Sequence, residues 1–564
     1  MNFNEIFTRN QLALFLGVPR KKLTFLLYNK GIDNCYKVFH IAKNNGGTRC
    51  ISAPNKDLKE LQRKLAFELY KYQSYIFKIE NIKYNISHGF VKGKNIFTNA
   101  NSHKKKKYVI NFDLENFFDS FHFGRVCGYF ERNKYFNLPH EVSIILAQLT
   151  CYKGKLPQGA PTSPIITNLI CQILDYRLLH IAKNFHLDYT RYADDLTFST
   201  NDKYFLERYD EFFKILKDEI RCSGFEINNN KTRLQYNNSR QIVTGLVVNK
   251  KPNINRIYFK NTKAMALSLY KNGFFTINGK QGNLEQLNGR FSFINQIDKL
   301  NNQADKNTKH NLFVLNSREK EYRKFLFYKN FVKTDRPLII TEGKTDIIYI
   351  KAALKKLYKL YPNLIEMDES GNFHYKISFF SRTKTISYLF GMSIDGADAM
   401  KNLYNYFSEN SDNKQIYPNF VKYFKERYST RIAHPIIFLF DNELSNKNKP
   451  LCKFFNHIKF KNKLVASKTL KKDLYLPLNN DNLFLATNPL VNGQSESEIE
   501  DLFLADVLTK KIVGKSFCRD SKFDNTKFYG KEIFSKYINT NYKNIDFSNF
   551  EALLDTIDTI IKCI

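Results

Sequence analysis

Tyr192-Ala193-Asp194-Asp195 constrains this chain more than any other four residues. On either side, Leu187 to Arg191 and Leu196 to Thr200 are short runs of strand-forming residues. The tetrapeptide therefore reads as the tight turn of a hairpin that carries two carboxylates at its tip. Taken alone, an Asp-Asp pair is ordinary turn chemistry, because short acidic side chains satisfy turn backbone. A second segment supplies a companion: Tyr108-Val109-Ile110-Asn111-Phe112-Asp113 alternates like a strand and ends on a carboxylate, followed by Glu115, Phe117 and Phe118.

Two-metal phosphoryl transfer needs carboxylates from separate segments that bridge both ions, and Asp113 with Asp194 and Asp195 supplies such a set for two Mg²⁺. Between them lies Leu156-Pro157-Gln158-Gly159-Ala160-Pro161-Thr162-Ser163-Pro164, a loop of Pro and small residues that a template or nucleotide can approach closely. It opens into an apolar helical run from Ile165 to Leu178.

The order of these segments resembles a reverse transcriptase palm, and within that group the retron branch. The likeness is carried by Phe39 to Pro54 with Gly46-Gly47-Thr48-Arg49, by His88-Gly89-Phe90 and Gly93, and by Asn99-Ala100 with His103. It continues through the Asp113 strand, Gln158-Gly159, the Asp194-Asp195 turn, Gly224-Phe225 with Asn230-Lys231-Thr232, and Val243-Thr244-Gly245. The resemblance implies a helical cap over 1–30, fingers and palm over 31–250, and a helical, RNA-gripping thumb over 251–332. It implies that Asp113, Asp194 and Asp195 are catalytic Mg²⁺ ligands and that Phe118 is a steric gate against a ribonucleotide 2′-OH. Gln158 and Gly159 would line the nucleotide pocket, Lys231 would sit near the triphosphate, and Arg49 and Lys64 would contact phosphate from the fingers. Asn99, His103, Val243, Thr244 and Gly245 belong to the segments that set retrons apart, and are expected to bind RNA. Read as plain residues, the alternatives are a core aromatic among 51 Phe for Phe118 and a solvated turn lysine for Lys231.

After Lys333 to Pro337 the pattern changes. Leu338-Ile339-Ile340-Thr341 is an apolar run ending on Glu342-Gly343 and a helical pattern, and Pro435 to Phe440 is another, ending on Asp441-Asn442-Glu443. Continuous apolar runs suit parallel strands buried on both faces, and ligands bind at the carboxyl ends of such strands. This arrangement resembles the Toprim domain, a Rossmann-like α/β fold with a parallel sheet, expected over 333–480 with an extension over 481–564. By that resemblance Glu342 is a general acid or base and a metal ligand, and Asp441 and Glu443 hold one or two Mg²⁺. Glu443 departs from the family's Asp-x-Asp by one methylene. Asp395-Gly396-Ala397-Asp398 would mark an intermediate turn, Glu498 and Asp501 a second metal site, and Lys531 a phosphate contact. The plain alternative is an acidic helix N-terminus and a surface lysine.

The expected fold class is multidomain, α+β then α/β: a right-hand polymerase fold of fingers, palm and thumb, followed by a Toprim domain. A formal charge of +34, from 88 Lys and Arg against 54 Asp and Glu, favours a nucleic-acid partner, although a chain this rich in Lys and Asn also carries compositional drift. Lys104 to Lys107 is the densest basic run, or else a solvated loop. No membrane span or signal pattern is read, so a cytoplasmic, bacterial setting is expected. Nine cysteines without a C-x-x-C pair argue against a zinc site. The resemblance implies dNTPs, a structured non-coding RNA serving as template and primer through a guanosine 2′-OH, and an RNA-linked single-stranded DNA product. That product is compatible with a homo-oligomer organised on nucleic acid. The Toprim half is expected to act as an anti-phage nuclease on RNA, tRNA included, or DNA. Two rival readings are a weak, scaffolding Toprim module, and a group II intron-like or untemplated defence polymerase.

Overall fold

The structure, a computed structural model, describes residues 2–42, 46–82, 84–304, 315–392, 397–408, 417–479, 482–491, 493–520 and 522–562. Asp395 and Gly396 of the expected intermediate turn lie outside the described residues. The chain divides into two units, Met1–Tyr258 with Ile297–Ala304, and Phe259–Gln296 with Asp305–Ile564.

In the first unit, β1 (Tyr36–Ala42) and β2 (Thr48–Pro54) form an antiparallel ribbon. Its main sheet has four antiparallel strands, β3 (Tyr108–Asp113), β4 (Asp188–Tyr192), β5 (Asp195–Thr200) and β6 (Arg233–Tyr236), in the order β4-β5-β3-β6. Alternation explains the two faces of β5. Leu196 and Phe198 join Phe112, Phe212 and Leu174 in the apolar core, while Thr197 and Ser199 are buried on the other face and need hydrogen-bond partners. Helix Ser163–Asn184 starts at Pro164 in its first turn, where a missing N–H costs nothing. By length and composition this helix could cross a membrane, contrary to the reading of no such stretch, yet most of it is buried in the core of this unit. The N-terminal helices dock on the same core through Phe3, Leu12 and Leu23.

The second unit is built on five strands in the order Ser378–Phe379, Leu338–Thr341, Ile436–Phe440, Leu483–Thr487, Tyr475–Asn479. All neighbours are parallel except the last pair. The unbroken apolar runs follow from two covered faces. Leu338, Ile340, Ile436, Phe438 and Phe440 point into one core, and Ile339, Ile437, Leu439 and Ala486 into the other. The first core also takes in Ala266, Leu269, Phe291 and Phe325 from the helices expected as a thumb, so packing in this unit is continuous across residue 333.

Candidate active sites

At the first site, strand register brings the acids together. Asp113 lies directly opposite Asp195, and Tyr192 pairs with Asp195 to close a two-residue loop of Ala193 and Asp194. Ala193 has φ +56°, a left-handed conformation in which a residue with a Cβ is strained. The turn is tied down where Leu114 N–H donates to Asp194 O at 3.0 Å. Three carboxylates thus share one end of the sheet. Burial pushes the Asp195 carboxyl up to about 7, with Asp194 and Asp113 adding and Lys231 opposing. Burial likewise raises Asp194, and Asp113 adds to it, against the turn's own N–H, Lys231 and Arg49. Lys231 Nζ is the nearest counter-charge, 2.8 and 2.9 Å from the two oxygens of Asp113. Like charges placed directly across a sheet are unfavourable unless a cation joins them, and an all-oxygen donor set suits a hard divalent ion.

The nucleotide-side residues gather around β2. Arg49 lies on that strand, exposed and within electrostatic reach of Asp194. Ser52 N–H donates to Gln158 O at 2.8 Å, and a Cβ on Gly159 would meet Ser52 O at 2.8 Å, so only glycine allows this contact. Phe118 is half-buried, its ring centroid 5.4 Å from Phe117 and 6.5 Å from the exposed Phe90, so it is not sealed in the core. Lys64, expected near phosphate, instead donates to Gly17 O in the N-terminal cap at 2.9 Å.

The expected RNA contacts need correction. Asn99 and His103 are fully buried. His103 bridges Ser199 Oγ and Thr190 Oγ1, each at 2.7 Å, and Thr190 donates to Asn99 Oδ1 at 2.6 Å. Burial, helped by His88 and Lys106, lowers the His103 imidazole to about 3, so it is neutral. These side chains satisfy the polar face of β4 and β5 and have no surface to offer RNA. Val243 is buried as well. Thr244 and Gly245 both have positive φ and form a two-residue hairpin turn, Thr244 donating to Ile96 O at 3.2 Å, and Gly245 is exposed.

Two residues that sequence reasoning missed stand behind the turn: Arg191 and Asp175, both fully buried and paired at 2.7 Å. The available signal was weak, since Asp175 and Arg191 sit in runs that also carry the charges Arg177 and Asp188.

At the second site, acids collect at the carboxyl ends of Leu338–Thr341 and Ile436–Phe440. Asp441 N–H donates to Glu342 Oε1 at 3.2 Å, and Asp441 Oδ1 accepts from Asn488 Nδ2 at 2.7 Å and Ile499 N–H at 2.9 Å. Burial pushes Glu342 up to about 8, with Asp346 and Glu443 adding to it. Asp441 is raised by burial and by Glu342, Asp346, Glu500 and Glu498. Glu443 is buried and held by Lys449. Asp346 caps its own helix, accepting from Gly343 N–H at 2.8 Å. Lys531 lies 3.0 Å from Glu500 and 3.3 Å from Glu498; burial opposes its charge, yet the two glutamates hold it above its usual value. Asp501 has both oxygens engaged, one accepting from Glu498 N–H at 2.8 Å and the other paired with Arg519 at 2.7 Å, and it is the buried Glu500 that pairs with Lys531 in the acid cluster. With six acids buried to different degrees and Lys449 and Lys531 paired to them, this donor set also fits a divalent cation.

Among the described residues Cys127, Glu131 and His140 also converge, with donor atoms within 4.8 Å, although the sequence showed no such cluster. His140 is exposed and pairs with Glu131 at 3.3 Å.

Residues 41–262 match the family model described as reverse transcriptase (RNA-dependent DNA polymerase). Retron Ec86 reverse transcriptase of Escherichia coli is 34% identical over 280 residues, covering 49% of this chain and 80% of that protein. Retron Mx162 reverse transcriptase of Myxococcus xanthus is 32% identical over 335 residues, covering 53% of this chain and 66% of its own length. Among solved structures, telomerase from Candida albicans in complex with a fragment of telomeric RNA aligns at 12% identity and a TM-score of 0.31, over 52% of this chain and 60% of that one.

Proposed function

Since the chain belongs to the retron reverse transcriptase family, we propose that its first unit copies a structured RNA into RNA-linked single-stranded DNA, starting from a guanosine 2′-OH, and that its second unit is a Toprim-type nuclease used against phage. The observation that carries the polymerase half is the register of Asp113 against Asp195 with Asp194 in the adjoining turn. Mg²⁺ bound there would lower the pKa of the attacking hydroxyl and neutralise charge on the leaving pyrophosphate. The protein's own part is to hold three carboxylates rigid, to bring the Arg49 and Lys231 charges to a triphosphate, and to seat the Gln158–Gly159 loop against β2, where Gly159 lies close on Ser52 O. Phe118 would stand where a 2′-OH clashes with its ring. Exposed Gly245, the Lys104 to Lys107 run and the helices of 251–332 remain the candidates for gripping RNA.

For the second unit, the supporting observation is the acid cluster at the carboxyl ends of the central parallel strands, where α/β sheets place their ligands. Glu342, raised to about 8, suits a general acid or base near neutral pH. Asp441, Glu443, Glu498 and Glu500 would hold Mg²⁺, with Lys531 near phosphate. One feature favours the scaffolding alternative: Lys449 occupies Glu443, the longer acid of the Asp-x-Glu pair. Glu342→Gln separates the two. The nuclease reading predicts loss of toxicity with DNA synthesis intact; unchanged toxicity would leave the second unit a scaffold.

A further inference from the structure

We propose that Arg191, clamped by Asp175 and linked through Asn168 to Gly89, is the positioning residue that sets the Ala193–Asp194 turn for metal binding. This rests on the polymerase reading of Asp113, Asp194 and Asp195.

Arg191 is the largest fully buried side chain in the described structure. Its Nε donates to Asp175 Oδ1 at 2.8 Å and its Nη2 to Oδ2 at 2.7 Å, a bidentate pair that fixes the plane of the guanidinium. Tyr189 OH donates to Asp175 Oδ1 at 2.9 Å, and Tyr84 OH to Oδ2, so the carboxylate is held from both sides. The remaining donors reach the turn. Nη1 binds Ala193 O at 3.2 Å, the carbonyl of the peptide that leads into Asp194. Nη2 also reaches Asn168 Oδ1 at 3.2 Å, and Asn168 Nδ2 donates to Gly89 O at 2.9 Å. Gly89 in turn presses on Ala193 from its other side, closely enough that a Cβ there would meet Ala193 N at 2.5 Å. The strained residue is therefore gripped at its carbonyl by the guanidinium and crowded at its nitrogen by Gly89, whose carbonyl the guanidinium reaches through Asn168 and whose segment is also tied to this strand by His88 N–H donating to Arg191 O at 2.7 Å.

Stability does not account for such a pair. Burying two charges costs desolvation that their attraction roughly repays, and apolar replacements of similar volume are often neutral or better. What a charged fork adds is direction, and here its free donors aim at the one left-handed residue in the acidic turn.

The test uses the full chain with its RNA. In Arg191→Met combined with Asp175→Asn, no buried charge is left unpaired and the tyrosines keep an acceptor. Melting temperature, kcat, KM for dNTP and the Mg²⁺ concentration at half-maximal rate are read together. The expected result is a folded protein with KM nearly unchanged, kcat lower by about tenfold or more, and a higher Mg²⁺ midpoint. Arg191→Lys, which keeps charge without the fork, should not restore kcat. Wild-type kcat and Mg²⁺ midpoint in the double variant would overturn the proposal. If that variant does not fold, Asn168→Ser, which cuts the link to Gly89 and keeps the ion pair, must show the same two shifts, and a wild-type profile there overturns it equally. Asp194→Ala with Asp195→Ala serves as the control: activity surviving in that protein would sink the metal-site reading itself.

Discussion

Gly89→Ala isolates the geometry of the acidic turn with a single methyl group. The added Cβ would lie 2.5 Å from Ala193 N, 3.1 Å from Tyr192 C and 3.4 Å from Ala193 Cα, all of them backbone atoms. Gly89 is not among the residues with positive φ, so alanine is tolerated by its own backbone and the effect is steric. Ordinary contact begins near 3.4 Å, so the turn must retreat by up to about 0.9 Å, and a shift of that size in a reacting group costs on the order of 10²-fold in rate. That corresponds to about 2.7 kcal/mol of lost transition-state stabilisation. Overpacking of this kind destabilises a fold by about 1–3 kcal/mol, which leaves the chain folded at ordinary assay temperatures. Single-turnover incorporation on a primed RNA template, at saturating dNTP and Mg²⁺, reads the chemical step, and a melting curve checks folding. A folded Gly89→Ala protein with a rate within threefold of wild type would refute the claim that turn placement limits catalysis.

Asp195 carries a pH signature. Its folded pKa of about 7 lies above the ordinary 3.8, so the folded chain binds the extra proton, and metal-free stability falls as pH rises through that window. Asp195→Asn should therefore raise the metal-free melting temperature at pH 8 and leave it little changed at pH 4, and an equal shift at both would contradict the assignment. At the second site, Glu500→Gln should abolish Mg²⁺-dependent cleavage, whereas Asp501→Asn should only loosen Arg519; nuclease assays giving the reverse order would show that the wrong acid has been placed in the cluster. Phe118→Val should raise ribonucleotide use relative to deoxynucleotide use by about tenfold or more, read as the ratio of kcat/KM values, and an unchanged ratio would leave Phe118 a packing residue.

The acidic hairpin was legible because strand alternation and a two-residue spacing are local signals, and the parallel strands because unbroken apolar runs imply two covered faces. The roles of Asn99 and His103 were not legible. A polar motif on a short helix looks like surface until the buried Thr190 and Ser199 are seen to need partners from it. Asp501 was misplaced for a similar reason: in Glu498-Ile499-Glu500-Asp501 the phase of a short 3₁₀ turn decides which acid faces inward, and the spacing alone does not give it. Arg191 and Asp175 did not stand out from the neighbouring charges Asp188 and Arg177, because their meaning lies in a contact across sixteen residues of sequence. The thumb helices were recognisable as helices, but their sharing of a core with Leu338 and Ile340 is a long-range fact.

The most direct test is to express the chain with its native upstream DNA, extract the nucleic acid that copurifies, and compare wild type with Asp194→Ala plus Asp195→Ala. A short, discrete DNA joined to RNA, shifted by RNase and present only with wild type, is the predicted result. Absence of any discrete DNA, or its persistence in the double variant, would contradict the assignment of Asp113, Asp194 and Asp195 as the centre that makes it.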